Sequence, residues 1–236
     1  MSIGYNPKIV TDGLVLCLDA ADKNSYPGSG TTWSDLSPEG NNGTLSAAGI
    51  GTVSGSLNTM AFDGTDDSFQ INSPTGLVSA VGSVSHWFKI INSDVGQGFW
   101  HIYEHSTQDY IRSYMGSNNK LDLIIEDDND GKIAVEYDFD NLYGADAFVD
   151  KWLYIVWTQD GNGVKFYING TDYSSSLTGT NSGDWWTSHL TIGTVKMGYV
   201  WEWTKNLISA FNVYNRALSA SEITQNFNAQ RSRFGI

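Results

Sequence analysis

The chain has very little cysteine and proline. It contains one cysteine, Cys17, and four prolines in 236 residues. A single cysteine excludes an intrachain disulfide, and because Cys17 lies in the apolar run GLVLCL we expect a buried thiol that behaves as a small hydrophobic side chain. No Pro/Ser-rich linker and no repeat of fixed period marks a boundary between two domains.

Basic residues are scarce as well. Lys and Arg number 13 against 26 Asp and Glu, which gives a formal net charge of -13. Affinity for nucleic acids comes mostly from cationic contacts with phosphate, so this composition argues against DNA or RNA as a partner. The acidic balance is typical of plain solubility, with calcium binding or repulsion from like-charged surfaces as the functional alternatives.

Long apolar runs are also missing. No run approaches the roughly 18 apolar residues of a membrane span, and the N-terminal MSIGYNPKIV lacks the basic start and apolar stretch of a signal peptide. We therefore expect a soluble protein with no membrane partner, made in a reducing compartment and not secreted through a signal peptide.

Aromatic residues and glycine are abundant. Nine Trp, twelve Tyr and ten Phe supply large side chains for burial, and 25 Gly with frequent Asn, Ser and Thr supply turns. This combination favours short strands, and the length suits a single all-β domain. The segment 46–56, rich in Ser and Gly, is interpreted as a loop.

Runs of β-branched and aromatic residues predict the strands. DNDG at 128–131 and DGNG at 160–163 each separate two such runs, which predicts two antiparallel hairpins. The predicted strands cover residues 13–19, 59–63, 67–71, 83–91, 97–104, 108–115, 120–126, 132–139, 151–158, 163–168, 189–194, 197–203 and 207–214.

The predicted strand 151–158 is apolar on both faces. Trp152, Tyr154 and Val156 share one face, and the alternate residues on the other face are apolar too. Both faces therefore need a cover. A loop is the simplest cover on the second face, with the C-terminal helix or a partner protein as the alternatives.

A helix is predicted only near the C-terminus. Ser219 and Glu222 have the S-x-x-E spacing of a capping box, in which each side chain binds a backbone N–H of the first helical turn. Ile223 and Phe227 follow at i, i+4 on one helix face. This face should dock on a sheet.

Six motifs in order carry a family resemblance: GLVLCLDA (13–20), SYPGSGTTWSDLS (25–37), NNGTL (41–45), AFDGTDDSF (61–69), VKFYING (164–170) and VYNRALSASEI (213–223). The chain resembles the laminin G-like, concanavalin A-like jelly-roll family, in the variant common among structural proteins of tailed bacteriophages. The resemblance implies an all-β fold of two antiparallel sheets packed face to face with one short C-terminal helix. It also implies a lead segment over residues 1–12 and one jelly-roll domain over 13–236.

Members of this family include lectins, glucanases, receptor modules and virion proteins, and the fold does not choose among them. Without a signal peptide or disulfide, and with a chain that is nearly the bare domain, we expect a non-enzymatic virion protein. It would be a decoration protein outside a phage head, with the major capsid or a tail protein as its partner. The alternative is a carbohydrate-binding module, or a tail or fibre component, that attaches to surface glycans.

Carboxylates are the first candidates for catalytic groups, because retaining glycosidases use two of them. Glu126, Asp128 and Asp130 have i, i+2, i+4 spacing, but the third is Asp and the segment enters a turn, so no catalytic residue is assigned. The histidines show no metal spacing and are interpreted as structural or surface residues; they are His86, His101, His105 and His189.

Calcium is the one cofactor considered, because it takes carboxylate and carbonyl oxygens on loops. Two acidic turns are candidates, although neither has the spacing of a defined calcium loop. They comprise Asp63, Asp66 and Asp67, and Asp127, Asp128 and Asp130.

Tryptophan pairs are the candidate ligand-binding residues. Trp185 is next to Trp186, and Trp201 and Trp203 would share one strand face. Exposed rings of this kind stack on sugars, and they also fill cores and protein interfaces.

Overall fold

The computed structural model describes residues 8–46, 51–52, 59–77, 81–91, 96–103, 109–127, 130–181, 194–200 and 202–236. The strands in chain order are β1 (Leu14–Asp19), β2 (Thr32–Trp33), β3 (Gly43–Leu45), β4 (Gly51–Thr52), β5 (Met60–Asp63), β6 (Phe69–Asn72), β7 (Gly82–Ile90), β8 (Gln97–Tyr103), β9 (Tyr110–Met115), β10 (Lys120–Asp127), β11 (Asp130–Asp138), β12 (Trp152–Gln159), β13 (Val164–Ile168), β14 (Thr171–Asp172), β15 (Thr178–Asn181), β16 (Thr194–Met197), β17 (Tyr199–Val200), β18 (Glu202–Trp203) and β19 (Lys205–Tyr214). The helices are α1 (Asp140–Tyr143) and α2 (Ala220–Gln230), with 3₁₀ turns at Ser174–Ser176 and Arg231–Phe234.

The strands form two antiparallel sheets and a small hairpin. The back sheet has the order β14-β13-β12-β7-β19-β5-β4, with β1 beside β19. The front sheet has the order β15-β11-β10-β9-β8-β16-β6-β3-β2, and β17 pairs with β18. This is the predicted fold class, an all-β concanavalin A-like sandwich with a short C-terminal helix.

The main core lies between the two sheets, because alternate side chains of each strand point inward. Leu153, Ile155 and Trp157 of β12 are buried there in one cluster with Leu123 and Ile125 of β10 from the facing sheet. The alternation predicted from the sequence is therefore correct along this face of β12.

A second apolar layer covers the other face of the back sheet. Tyr154 and Val156 of β12 and Trp87 of β7 are buried in it against Ile223 of α2 and Phe234 of the following turn. The cover of β12 is thus the C-terminal helix, and the expectation of a covering loop is wrong. A helix supplies this cover because it brings several apolar side chains at once onto a flat sheet face.

The C-terminal helix begins with the predicted capping box. Ser219 Oγ accepts from the backbone N–H of Glu222 at 3.3 Å, and Glu222 Oε2 accepts from the N–H of Ser219 at 2.8 Å. Arg216 adds an ion pair to Glu222 with 2.6 Å between Nη2 and Oε1. This arginine, with the Ser219 hydrogen bonds, lowers the pKa of Glu222 to about 2.

The N-terminal part of the described chain is bound to the same layer. Val10 N–H donates to Asn226 Oδ1 at 2.7 Å, and Tyr214 Oη donates to the Val10 carbonyl at 3.1 Å. Because β1 also pairs with β19, both ends of the described chain meet at the back sheet. Cys17 of β1 is buried, as predicted.

Both predicted hairpins form. β10 pairs with β11 across residues 128–129, and β12 pairs with β13 across the DGNG turn. A further hairpin joins β13 to β14 through Asn169 (φ 51°) and Gly170 (φ 81°). Positive φ at both turn residues is the type I′ geometry that Asn-Gly favours, so this signal was present in the sequence.

Two strand predictions need correction. Residues 197–203 do not form one strand, because β16 ends at Met197 and β17 pairs antiparallel with β18. The segment 46–56 is not entirely loop, because β4 pairs with β5 at the edge of the back sheet. Most of the predicted strand 189–194 lies outside the described residues. None of the helices in the described ranges has the length and apolarity needed to span a membrane.

Candidate functional site

The outer face of the front sheet carries aromatic and charged side chains side by side. Along β9, and along β8 from His101 onward, buried residues alternate with residues that are half-buried on the outer face. We call this surface the front face. Its central side chains are Lys196, His101, Tyr103, Tyr110, Arg112, Tyr114, Asp122 and Glu126.

Strand register places these residues in rows across the sheet. Lys196 of β16 lies opposite His101 of β8, which lies opposite Arg112 of β9. In the next row Tyr103 lies opposite Tyr110. Neighbouring strands are about 4.8 Å apart, so the two cations flank His101 on both sides.

The rings in these rows pack together. His101 stacks on Tyr103 with centroids 4.8 Å apart and an interplanar angle of 25°, and its edge meets Tyr110 at 5.3 Å and 81°. We call these three rings the aromatic cluster. Lys196 Nζ lies 5.3 Å from the centre of the Tyr103 ring, and Arg112 Cζ lies 5.4 Å from that of Tyr110. Rings that are already packed lose little conformational entropy when a ligand binds, so less of the binding free energy is spent on ordering them.

Burial and neighbouring charge alter the protonation of the face. Burial, together with the Arg112 and Lys196 cations, lowers the pKa of His101 to about 3, so its imidazole is neutral at pH 7. Burial and the neighbouring Glu136 raise the pKa of Asp122 to about 6. Within the described ranges, His101 Nε2 and Asp122 Oδ1 are buried atoms with no hydrogen-bond partner.

Carboxylates lie on the β10 and β11 side of the face. Glu126 accepts a hydrogen bond from Tyr110 Oη, and burial followed by this bond raises the pKa of Tyr110 to about 12. Glu136 is paired with Lys120, whose hydrogen bond lowers the pKa of the Glu136 carboxyl. The front face therefore has a cationic side at β16 to β9 and an acidic side at β10 and β11.

One of the four tryptophans proposed as ligand platforms lies in the described part of the chain. Trp203 lies in the β17–β18 hairpin and is 39% exposed. Trp201, Trp185 and Trp186 lie outside the described residues.

The first acidic turn does bring its three aspartates together. Asp63, Asp66 and Asp67 each place an oxygen within 4.8 Å of the others. Asp63 Oδ1 already accepts from the Thr65 N–H at 2.7 Å, and Asp67 Oδ2 from the Asp63 N–H at 3.2 Å. Calcium takes six to eight oxygens, so this donor set is incomplete without further groups.

Calcium at this turn stays a prediction, and we expect any bound ion to stabilise the fold. Adding a chelator should then lower the melting temperature, because an ion that binds only the folded state shifts the unfolding equilibrium. Asp63→Asn should remove the effect. An identical melting curve with and without chelator would argue against a structural calcium.

The second acidic turn lies mostly outside the described residues. The backbones of Asp127 and Asp130 belong to β10 and β11, but their side chains and all of Asp128 lie outside the described part. Of the histidines, His86 is in the core and His101 is on the front face. His105 and His189 are not among the described residues.

The front face was not among the sites predicted from the sequence. Alternation in QGFWHIY and YIRSYM shows which side chains share a face of each strand, and this signal could have selected His101, Tyr103, Tyr110 and Arg112. Lys196 could not be found this way, because it joins the group only through the pairing of β16 with β8.

Comparison with known proteins gives a family and a fold. Residues 63–224 match the family model Laminin_G_3, described as the concanavalin A-like lectin/glucanases superfamily. No curated protein sequence matches the chain.

Solved structures of similar fold include receptor-binding domains of botulinum neurotoxins. The serotype D binding domain shares 18% identity with a TM-score of 0.69, over 94% of this chain and 53% of that one. The serotype D ligand-binding domain in complex with N-acetylneuraminic acid shares 18% identity with a TM-score of 0.68, over 94% and 52%. The serotype DC binding domain in complex with SialylT shares 15% identity with a TM-score of 0.69, over 93% and 52%. The chain spans about half the length of these structures.

Proposed function

The chain belongs to the concanavalin A-like lectin/glucanases superfamily, and from this premise we propose that it is a non-enzymatic glycan-binding protein whose ligand lies on the front face. The observation that carries the proposal is the aromatic cluster bordered by charged groups on an outward-facing sheet surface. Among the described residues the outer face of the back sheet is instead covered by α2.

A sugar presents an apolar ring face and a rim of hydroxyl groups. Half-buried aromatic rings provide apolar contact, and nearby carboxylates and cations provide acceptors and donors that orient the rim. The front face combines both, with Tyr103 and Tyr110 beside Lys196, Asp122 and Glu126. The named ligands of the botulinum neurotoxin domains make a glycan a reasonable class of ligand for this fold.

We expect Tyr103→Ala to weaken glycan binding about tenfold or more, because it removes an aromatic contact at the centre of the face. A glycan array with the wild-type protein identifies a ligand, and titration calorimetry then measures the affinity of each variant. Tyr103→Phe keeps the ring and should retain most of the affinity.

Trp203→Ala tests the alternative site, because Trp203 is an exposed member of the tryptophan pairs predicted from the sequence to bind a ligand. Loss of binding in Trp203→Ala with full binding in Tyr103→Ala would move the site to the hairpin. Binding of no glycan on the array would contradict the proposal, and release of a shortened glycan would contradict its non-enzymatic part.

We also propose that the protein is exposed on a bacteriophage particle, as a head decoration protein or as a tail or fibre component. The support is the set of six sequence motifs, of which the first contains β1 and the last covers the end of β19, the strand that pairs with β1, and the start of α2. The two roles are compatible, because a glycan-binding face on a particle would attach it to a surface. Quantitative mass spectrometry of purified particles tests the proposal, and absence of the protein from the particles would reject it.

A further inference from the structure

Lys196 is a cation without a carboxylate partner in the described part of the chain. Its ammonium group lies against the Tyr103 ring, and no described carboxylate oxygen lies within ion-pair distance. The protein has twice as many acidic as basic residues, 26 against 13. An unneutralised, half-buried cation in such a protein leaves a local positive potential that favours an anionic group.

His101, which lies opposite Lys196 in the strand register, has an unused polar atom. Its Nε2 is buried and, among the described residues, has no hydrogen-bond partner. A buried polar atom without a partner costs stability, and such atoms are uncommon unless they serve a ligand or a water molecule. Because the imidazole is neutral at pH 7, its Nε2 can donate one hydrogen bond in the tautomer that carries the proton there.

The charges of the front face are separated by strand. Lys196 and Arg112 flank His101 on β16 and β9, whereas Asp122 and Glu126 lie one strand further, on β10. A ligand carboxylate is repelled from β10 and attracted to the β16 side. Hydroxyl groups at the other end of the ligand can donate to the β10 carboxylates.

We propose that the ligand of the front face is an acidic sugar, a pyranose that bears a carboxylate, bound with the carboxylate against Lys196 Nζ and His101 Nε2 and the ring against the aromatic cluster. The inference rests on the proposed function and defines the chemical class of its ligand. Uronic acids and nonulosonic acids both carry this group, and the experiment below distinguishes them.

The test uses pairs of glycans that differ only in the acidic group. Affinity is measured by titration calorimetry for a glucuronate-terminated oligosaccharide, for its glucose-terminated counterpart, and for an N-acetylneuraminate-terminated glycan beside its asialo form. We expect at least one acidic member to bind about tenfold or more tightly than its neutral partner, because a charge-assisted hydrogen bond is stronger than a neutral one. The acidic member that is preferred identifies the sugar.

Lys196→Gln should abolish this preference, because it lowers the affinity for the acidic member much more than the affinity for its neutral partner. Lys196→Arg keeps the charge and should keep the preference. The matched control is Lys23→Gln, which removes the same charge from an exposed turn after β1 and should change neither affinity. Near-UV circular dichroism of each variant confirms that the fold is intact.

The outcomes separate the two proposals. Equal affinity for acidic and neutral partners, or a preference that persists in Lys196→Gln, would overturn the acidic-sugar inference while the glycan-binding function stands. Binding of neither member of any pair, together with a blank glycan array, would overturn the proposed function and this inference with it.

Discussion

Trp87→Ala should lower the free energy of unfolding by about 3–5 kcal/mol, the usual cost of truncating a fully buried tryptophan. Trp87 joins the back sheet to the C-terminal segment. Its ring stacks on Phe234 with centroids 3.8 Å apart at 10°, and on Phe227 at 5.7 Å and 17°. Its Nε1 also donates to Gln230 Oε1 at 2.8 Å, and this buried amide would lose its donor.

Urea unfolding followed by circular dichroism measures this loss, and the melting temperature should fall by about 10 °C for a chain of this size. Two variants isolate the cause. Trp87→Phe keeps a stacked six-membered ring and loses the hydrogen bond with part of the indole volume, so we expect a smaller loss of about 1–2 kcal/mol. Trp203→Ala truncates a tryptophan that is 39% exposed and should cost clearly less than Trp87→Ala.

A change below about 1 kcal/mol in Trp87→Ala would show that α2 contributes little to stability. In that case the second apolar layer would be a peripheral cover and not part of the folding unit.

His86→Leu should remove a large part of the acid sensitivity of the fold. His86 lies in the main core, fully buried, with its ring stacked on Phe88 at 5.1 Å and close to Phe99 and Phe211. In the described part of the chain neither ring nitrogen has a hydrogen-bond partner. Burial therefore lowers the pKa of His86 from 6.5 to about 3, because a charged imidazole has no stabilising group there.

The direction of the pH effect follows from this lowered pKa. Above pH 6.5 the imidazole is neutral in both the folded and the unfolded chain, so its contribution to stability is complete. Below pH 6.5 the unfolded chain binds a proton that the folded protein does not, and stability falls by about 1.4 kcal/mol per pH unit until the folded pKa is reached.

The measurement is the free energy of unfolding of wild type and His86→Leu from pH 7.5 to pH 4.5. We expect the difference between the two proteins to shift by about 2 kcal/mol in favour of the variant as the pH falls from 6.5 to 4.5. Phe211→Leu is the control, because it alters the same part of the core without a titratable group. Its free energy of unfolding should lie below that of wild type by the same amount at every pH. If the curve of His86→Leu against pH also runs parallel to that of wild type, His86 is excluded as the acid-sensitive group.

Local sequence patterns were sufficient wherever the interaction is local. The capping box of α2 needs only Ser219 and Glu222, three residues apart, and both predicted hairpins need only their turn residues and flanking strands. The apolar face of α2 was also predictable, because Ile223 and Phe227 repeat at the helical period. Short strands such as β2, β3 and β15 were missed, since two to four residues are too few to show a period.

The order of the strands could not be predicted in the same way. β19 is placed between β7 on one edge and β5 and β1 on the other, although these strands are far apart in the sequence. Such pairings depend on which apolar faces fit together across the whole core. Periodicity within one strand contains no information about its neighbours.

The sequence by itself determined the class of this protein. It is an acidic, aromatic-rich β protein with one cysteine and a capped helix near the C-terminal end of the chain. Only the tertiary structure decided where a ligand could bind. It placed α2 over the back sheet, leaving the front face outward, and it aligned Lys196, His101 and Arg112 from three different strands in one row. The physical reason is that helix caps and turns depend on neighbours within a few residues, whereas a surface built across strands depends on their order and register.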